Sequence, residues 1–361
     1  MTSLYFAPFL CALVLALALA FRRHRAAMLL SAITLAVTAL SLSPTPGVGL
    51  RAATASAMFL PWLWLLALLL PEPPLRSRRM LVFTAVLALS AWLVAAAPEH
   101  VWNGLQQLLP LGLASARPVW VALSLALLAA AIAAGYWLWQ RRPLDAALAL
   151  ALLAGAFGWI QLGGLDLRSW LLVAAAVIGL GVVYSSWRLA FLDALTGLPN
   201  RRALDETLAR LSGDYALAMV DVDHFKQFND KHGHDAGDRV LAAVARCLGR
   251  TRAATAFRFG GEEFCLLFRR PELARDACEE ARQAIEALRV ALPRKPAAKN
   301  GGKGGGKAGE KKREATVQVT ASIGVAARGG ARRAAPEVLK AADQCLYKAK
   351  DKGRNQVVAL A

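Results

Sequence analysis

Two short acidic stretches hold residues whose types and spacing suit metal and phosphate chemistry. "DVDHFKQFND" sets Asp221 and Asp223 where an apolar run meets a turn, and "RFGGEEF" sets Glu262 and Glu263 behind Gly260 and Gly261. Carboxylates at two chain reversals can converge on a divalent cation, and hard oxygen ligands suit Mg²⁺ bound together with phosphates. Glycine adds to this, because backbone without a Cβ lets a polyphosphate approach closely. A third stretch, "NGGKGGGKAG" (Asn300–Gly309), imitates a P-loop. It fails as one: Ala308 stands where Ser or Thr should follow Lys307, no strand precedes it, and no helix opens after it.

The acids must be positioned by the elements around them. "YALAMVDVD" (Tyr215–Asp223) reads as an apolar strand ending in acids, and "FCLLF" (Phe264–Phe268) as a buried strand across a glycine hairpin. "AGDRVLAAVARCLG" and "PELARDACEEARQAIEALRVAL" have helical periodicity. "TVQVTASIGVAA" follows as a strand, and "APEVLKAADQCLYKAKDKG" as a helix stopped by Gly353. Strands alternating with helices imply one sheet covered by helices. The segment Pro293–Ala315 holds eight Lys and Arg against two acids and is rich in glycine. It cannot bury enough apolar area to offset its ordering entropy, so a disordered basic surface loop is expected, with residues 294–313 suited to touch anionic lipid.

The first half of the chain is different in kind. Hydrophobic residues make up 57% of the 361 residues, and the mean hydropathy is +0.41. That is too apolar for an ordinary soluble protein. Residues 1–187 carry 11 Lys and Arg with 4 acids, against 32 and 21 in residues 188–361. Apolar runs at residues 4–21, 26–43, 52–70, 80–97, 119–139, 146–162 and 170–187 predict an all-α bundle of about seven membrane spans. The connections holding Arg22, Arg23 and Arg25, then Arg76, Arg78 and Arg79, then Arg141 and Arg142 all fall on one side. The positive-inside rule then places the N-terminus outside and the second half in the cytoplasm. The arginines follow the first run instead of preceding it, which argues against a signal peptide. No ionisable residue lies inside a run, which weighs against transport. Tryptophans such as Trp120, Trp137, Trp139, Trp170 and Trp187 sit near span ends, as in an aromatic belt. The five cysteines show no close pairing and read as reduced core residues.

"DALTGLPNRR" (Asp193–Arg202), "DVDHFKQFNDKHGHDAGD" (Asp221–Asp238), "RFGGEEF", "VTASIGVA" (Val319–Ala326) and "LYKAKDKGRN" (Leu346–Asn355) stand in the order and spacing of GGDEF domains. The resemblance covers about residues 190–361. It implies a nucleotidyl-cyclase-like α/β domain, with a mainly antiparallel central sheet flanked by helices. It also implies a diguanylate cyclase, which condenses two GTP into cyclic di-GMP. By the same resemblance Asp221, the carbonyl of Val222 and Glu262 would hold Mg²⁺, or Mn²⁺ in its place. Glu263 would be a further ligand or the base for the ribose 3′-hydroxyl. Lys226, with turn amides near His224 and Phe225, would meet the phosphates. Lys350 and Arg354 would clamp the triphosphate, and Gly260 and Gly261 form the signature turn. Asn229 and Asp238 would read guanine. An ionised carboxylate at Asp238 accepts from both N1–H and N2–H₂, an edge that adenine lacks. His232 and His234 of "KHGHD" fall at a turn of the family pattern and are read as structural.

Two features depart from that pattern. The inhibitory RxxD is absent, since Arg252 is followed by Thr255 and Arg250 by Ala253. Weak or no product inhibition is therefore expected there. The basic insertion is the second departure. Because one site holds one GTP, the resemblance implies a homodimer, embedded in the bacterial cytoplasmic membrane as a multi-pass protein and binding no nucleic acid. The competing readings are a catalytically silent GTP-binding scaffold and a membrane receptor.

Overall fold

Apolar runs rich in alanine and leucine have no backbone partner other than their own helix. In the computed structural model, each of the seven runs lies on one. These helices are α1 (Thr2–Ala20), α2 (His24–Ser41), α3 (Pro46–Leu69), α4 (Arg78–Ala96), α5 (Arg117–Gln140), α6 (Pro143–Trp159) and α7 (Leu167–Phe191). The structure describes residues 2–42, 46–70, 77–101, 117–160, 166–291, 316–329 and 334–360. They divide into two units, Met1–Arg188 and Leu189–Ala361. Five helices among the described residues are long and apolar enough to cross a membrane, whereas Phe6–Ala20 and Pro143–Trp159 are shorter. Among the described residues, length and composition thus support five of the seven expected spans.

Charge enters this unit further than its apolar runs foretold. Helices α2 and α6 begin before those runs do, so Arg25 and Asp145 fall in their first turns and pair at 3.9 Å, both largely buried. Arg25 also lies 5.1 Å from the Tyr136 ring centroid, and Arg23 donates to the Ser185 carbonyl at 3.4 Å. Two arginines read as loop charges therefore tie helices together. Arg51 pairs with Glu99 at 2.9 Å. Small residues let the helices close up, as where Gly155 meets the Trp64 ring, which lies 5.6 Å from that of Trp159.

In the second unit a five-stranded sheet runs in the order β2-β3-β1-β6-β7. Its strands are β1 (Ala216–Val222), β2 (Ala254–Gly260), β3 (Glu263–Phe268), β6 (Ala321–Ala327) and β7 (Val357–Leu360). A separate ribbon pairs β4 (Val290–Ala291) with β5 (Thr316–Val317). Strand β1 is antiparallel to both neighbours, and only β6 and β7 run parallel. All seven residues of β1 are buried, because both faces of the sheet are covered. Ala216, Ala218, Val220 and Val222 pack with α10 (His234–Leu248) and α11 (Ala274–Glu286). Leu217 and Met219 pack with α8 (Arg201–Ala209) and α12 (Ala335–Asp351). The short helix α9 (Phe225–His232) leaves the end of β1. Cys11, Cys265, Cys278 and Cys345 are buried, and none of the five cysteines forms a disulfide. The expected basic loop lies outside the described residues.

Candidate active site

The middle strand ends its apolar run at Val220, and the next residue on its α12 side is Asp221. Strand pairing puts Asp221 directly opposite Glu263. Gly260 pairs with Glu263, so Gly261 and Glu262 make the two-residue turn, and the Val222 amide donates to the Glu262 carbonyl at 3.4 Å. The turn therefore sits one residue later than a Gly260–Gly261 hairpin would, with Glu263 already in the ladder. Gly261 adopts φ +44°, a conformation that favours glycine. Gly260 is different: its φ is ordinary, and a Cβ there would meet nothing within 4 Å. Neither backbone nor packing calls for glycine at 260, so the open space above it is the physical reason left.

Three carboxyls thus crowd one sheet end, and one cation faces them. Lys350, from the last turn of α12, lies 2.9 Å from Asp221 Oδ2. Burial pushes the Asp221 carboxyl above the usual range, and Lys350 only partly offsets it. Burial and then Asp221 push Glu262 and Glu263 up in turn, again opposed by Lys350. Arg354 acts on Asp221 from beyond the end of α12, while Arg201 and Asp343 act on Glu263. Lys226 is exposed on the first turn of α9, after His224 at φ +55°, and forms no salt bridge among the described residues.

Asn229 and Asp238 lie at a separate corner, where α9 meets α10 through Gly233. Asn229 Oδ1 is buried and has no protein partner, and a Cβ at Gly237 would overlap it. An acceptor held in this way is suited to a donor from outside the chain. Asp238 is exposed one residue further along α10.

Comparison with known proteins bears on residues 190–301 and 307–356, which match the family of the diguanylate cyclase GGDEF domain. The second unit is a GGDEF domain. The match skips residues 302–306, inside the basic insertion. Diguanylate cyclase DgcP of Pseudomonas aeruginosa is 39% identical over 46% of this chain and 24% of its own length. Diguanylate cyclase VdcA of Vibrio cholerae is 36% identical over 47% of this chain and 47% of its own. The chain therefore spans less than half the length of these curated relatives. The coiled coil and GGDEF domain of DgcB from Caulobacter crescentus, solved in complex with c-di-GMP, is 31% identical. It covers 49% of this chain and 90% of that one, with a TM-score of 0.41.

The GGDEF domain also contains positioning residues that spacing alone did not single out. Asp223, two residues beyond Asp221, accepts from Ser322 Oγ and Thr320 Oγ1 at 2.7 Å each and from the Asn355 amide at 3.1 Å. Asn355 in turn bonds Arg282 at 2.7 Å and Glu286 at 2.8 Å, and Arg282 also holds Glu279 and Glu286. This network fixes Gly353, Arg354 and Asn355, three successive residues at φ +108°, +65° and +46°. Left-handed backbone at non-glycine residues costs of order 1–3 kcal/mol each and persists only where the surroundings over-determine it. At the other edge, Arg258 pairs with Asp193 at 2.7 Å and donates to the Gly261 carbonyl at 2.8 Å. The signature turn is thereby tied to the "DALTGLPN" loop. Both arginines stood inside recognised motifs or helices, but no spacing rule revealed their partners.

Proposed function

We propose that this chain is a membrane-embedded diguanylate cyclase that condenses two GTP into cyclic di-GMP and releases two pyrophosphates. The observation that carries the reading is the convergence of Asp221, Glu262 and Glu263 with Lys350 at one sheet end, with an unpaired Asn229 acceptor at the neighbouring corner. The donor set fits a divalent cation. It is all oxygen, and burial, with Asp221 adding to it, raises Glu262 and Glu263. Asp221, Glu262 and the Val222 carbonyl would hold Mg²⁺ or Mn²⁺. When bound, that ion supplies charge neutralisation at the reacting phosphates.

The chain's own residues do the rest. Asn229 and Asp238 hold the guanine edge, and Lys226, Lys350 and Arg354 hold the triphosphate. Glu263, poised upward in pKa by burial and Asp221, takes the proton as the ribose 3′-oxygen bonds to the α-phosphorus of the facing GTP. Pyrophosphate leaves as that bond forms, and repeating the step with the roles exchanged closes the ring. One domain presents one such site, so two copies must face each other. Helix α7 runs unbroken from Leu167 through Arg188 to Phe191, which supports regulation through rotation or sliding of membrane helices in a dimer. Insertions of one to four residues after Arg188 should alter turnover with helical periodicity.

Five helices of crossing length and apolarity among the described residues support the multi-pass placement, and the arginine-rich connections on one side support a cytoplasmic-membrane protein with its N-terminus outside. The lost RxxD supports weak product inhibition. The direct test is the purified full-length chain with GTP and Mg²⁺, followed by identification of the product. Bound GTP without cyclic product would favour the silent scaffold instead.

A further inference from the structure

Arg239 and Arg246 stand seven residues apart on α10, so they share one helix face. With Arg289, from the segment that follows α11, they rim a concavity of about 360 Å³ floored by Ala243, Leu288 and Val290. None of the three guanidinium groups has a carboxylate partner among the described residues. The ion pairs of this domain use Arg202, Arg210, Arg258, Arg282 and Lys350, and the nearby acids Glu279 and Glu286 are taken by Arg282. The one bond from Arg289 goes to the Ala287 carbonyl at 3.4 Å. Three uncompensated guanidiniums around an apolar floor are built for a phosphate oxyanion, which accepts forked hydrogen bonds from each.

Two further observations say where such an anion comes from. Ala291, on the lip of the notch, stands two residues before Pro293, where the sequence enters the insertion with its eight Lys and Arg. Within the second unit, the end of α10 that carries Arg246 also lies near the segment that follows α7. Arg246 is in the last turn of α10, and Leu198, folded back by a bond from the Asp193 amide to its carbonyl at 2.8 Å, packs beside Gly249. A domain joined directly to a spanning helix meets lipid headgroups at high effective concentration.

We propose that the Arg239–Arg246–Arg289 notch binds the phosphate headgroups of anionic lipids, docking the catalytic domain on the membrane it is tethered to. This rests on the membrane reading above. Each arginine near an anionic leaflet contributes about fivefold to occupancy, and the three together roughly a hundredfold.

The test is hydrogen–deuterium exchange on the full chain in nanodiscs of phosphatidylcholine alone or with one third phosphatidylglycerol. Residues 239–246 and 289–291 should exchange roughly fivefold more slowly in the anionic discs. The Arg239→Gln/Arg246→Gln/Arg289→Gln variant should lose that protection, and deletion of Asn300–Lys312 should keep it. Equal exchange in both discs overturns the proposal, as does protection that survives the triple substitution or vanishes with the deletion. The same protection produced in phosphatidylcholine discs by inorganic phosphate assigns the notch to a free anion and also overturns it. Failure of the chain to co-purify with either disc takes down the membrane reading together with the notch, whereas co-purification with equal exchange takes down the notch alone.

Discussion

Asp221 and Asp223 lie two residues apart at the end of one strand, are both 6% exposed, and do opposite work. Asp223 is saturated, with two hydroxyls and one backbone amide donating to it, and it anchors the strained Gly353–Asn355 turn. Asp221 has one ion-pair partner, Lys350, and burial, with the charge of Asp223 adding to it, pushes its pKa up. One acid strengthens the fold and the other is held against its preference. Burial does not separate them. What separates them is whether the donors around a carboxylate come from the chain or must come from a ligand.

The largest effect should come from breaking the strained side of this contrast. Glu263→Gln should cut cyclic di-GMP formation by about a thousandfold. Yet Glu263→Gln and Asp221→Asn should raise the melting temperature of the second unit. A carboxyl whose pKa is raised on folding contributes stability below its unfolded pKa, and that contribution is lost as pH rises through the folded value. The gain in the amide variants should therefore be present at neutral pH and fade as pH falls through about 4. A melting temperature that drops at neutral pH would break the comparison.

The saturated side predicts the reverse. Asp223→Ala leaves the buried Ser322 hydroxyl, the half-buried Thr320 hydroxyl and the Asn355 amide without an acceptor, at a cost of about 2–4 kcal/mol, read by thermal unfolding. Asn355→Ala should both lower the melting temperature and raise the KM for GTP, by about tenfold, because Arg354 loses its held backbone. Arg354→Ala should raise KM without the stability loss; if both variants behave alike, the turn is not held for Arg354. Asp238→Ala should relax GTP over ATP selectivity by about tenfold or more, with the fold intact.

A smaller effect sharpens the contrast at low pH. Burial opposes it, but hydrogen bonds from Thr196 and Arg258 hold the Asp193 carboxyl below its usual range, and Arg282 does the same for Glu279 and Glu286. Their stabilisation is present above the unfolded pKa and lost as pH falls through the lowered folded value. Arg258→Gln and Arg282→Gln should therefore shift acid unfolding to higher pH. Deleting Asn300–Lys312 should leave GTP turnover within about twofold, since no site residue lies there.

Much of the site was legible because its spacing is local. Asp221 lies at the end of an apolar strand, Glu262 and Glu263 follow a double glycine, and Lys350 and Arg354 share one helix end. Strand and helix periodicity carry that information without reference to the fold. The Gly261–Glu262 turn, one residue later than expected, was not legible, because register depends on which residues of β1 and β3 pair. The reach of Arg25 to Asp145 was missed for a related reason. Apolar runs mark where a helix must be greasy, not where its hydrogen-bonded turns begin.

The sequence by itself determined the two-part organisation, the acids at two chain reversals and the failure of "NGGKGGGKAG" as a P-loop. Composition and short-range spacing are enough for those. Only the tertiary structure decided that Asp223 is anchored while Asp221 is frustrated. It alone joined Asn355 to Arg282, and Arg258 to Asp193. Those partners come from segments 65 to 132 residues apart. A carboxylate's role is fixed by the donors that folding brings to it, and no local pattern encodes them.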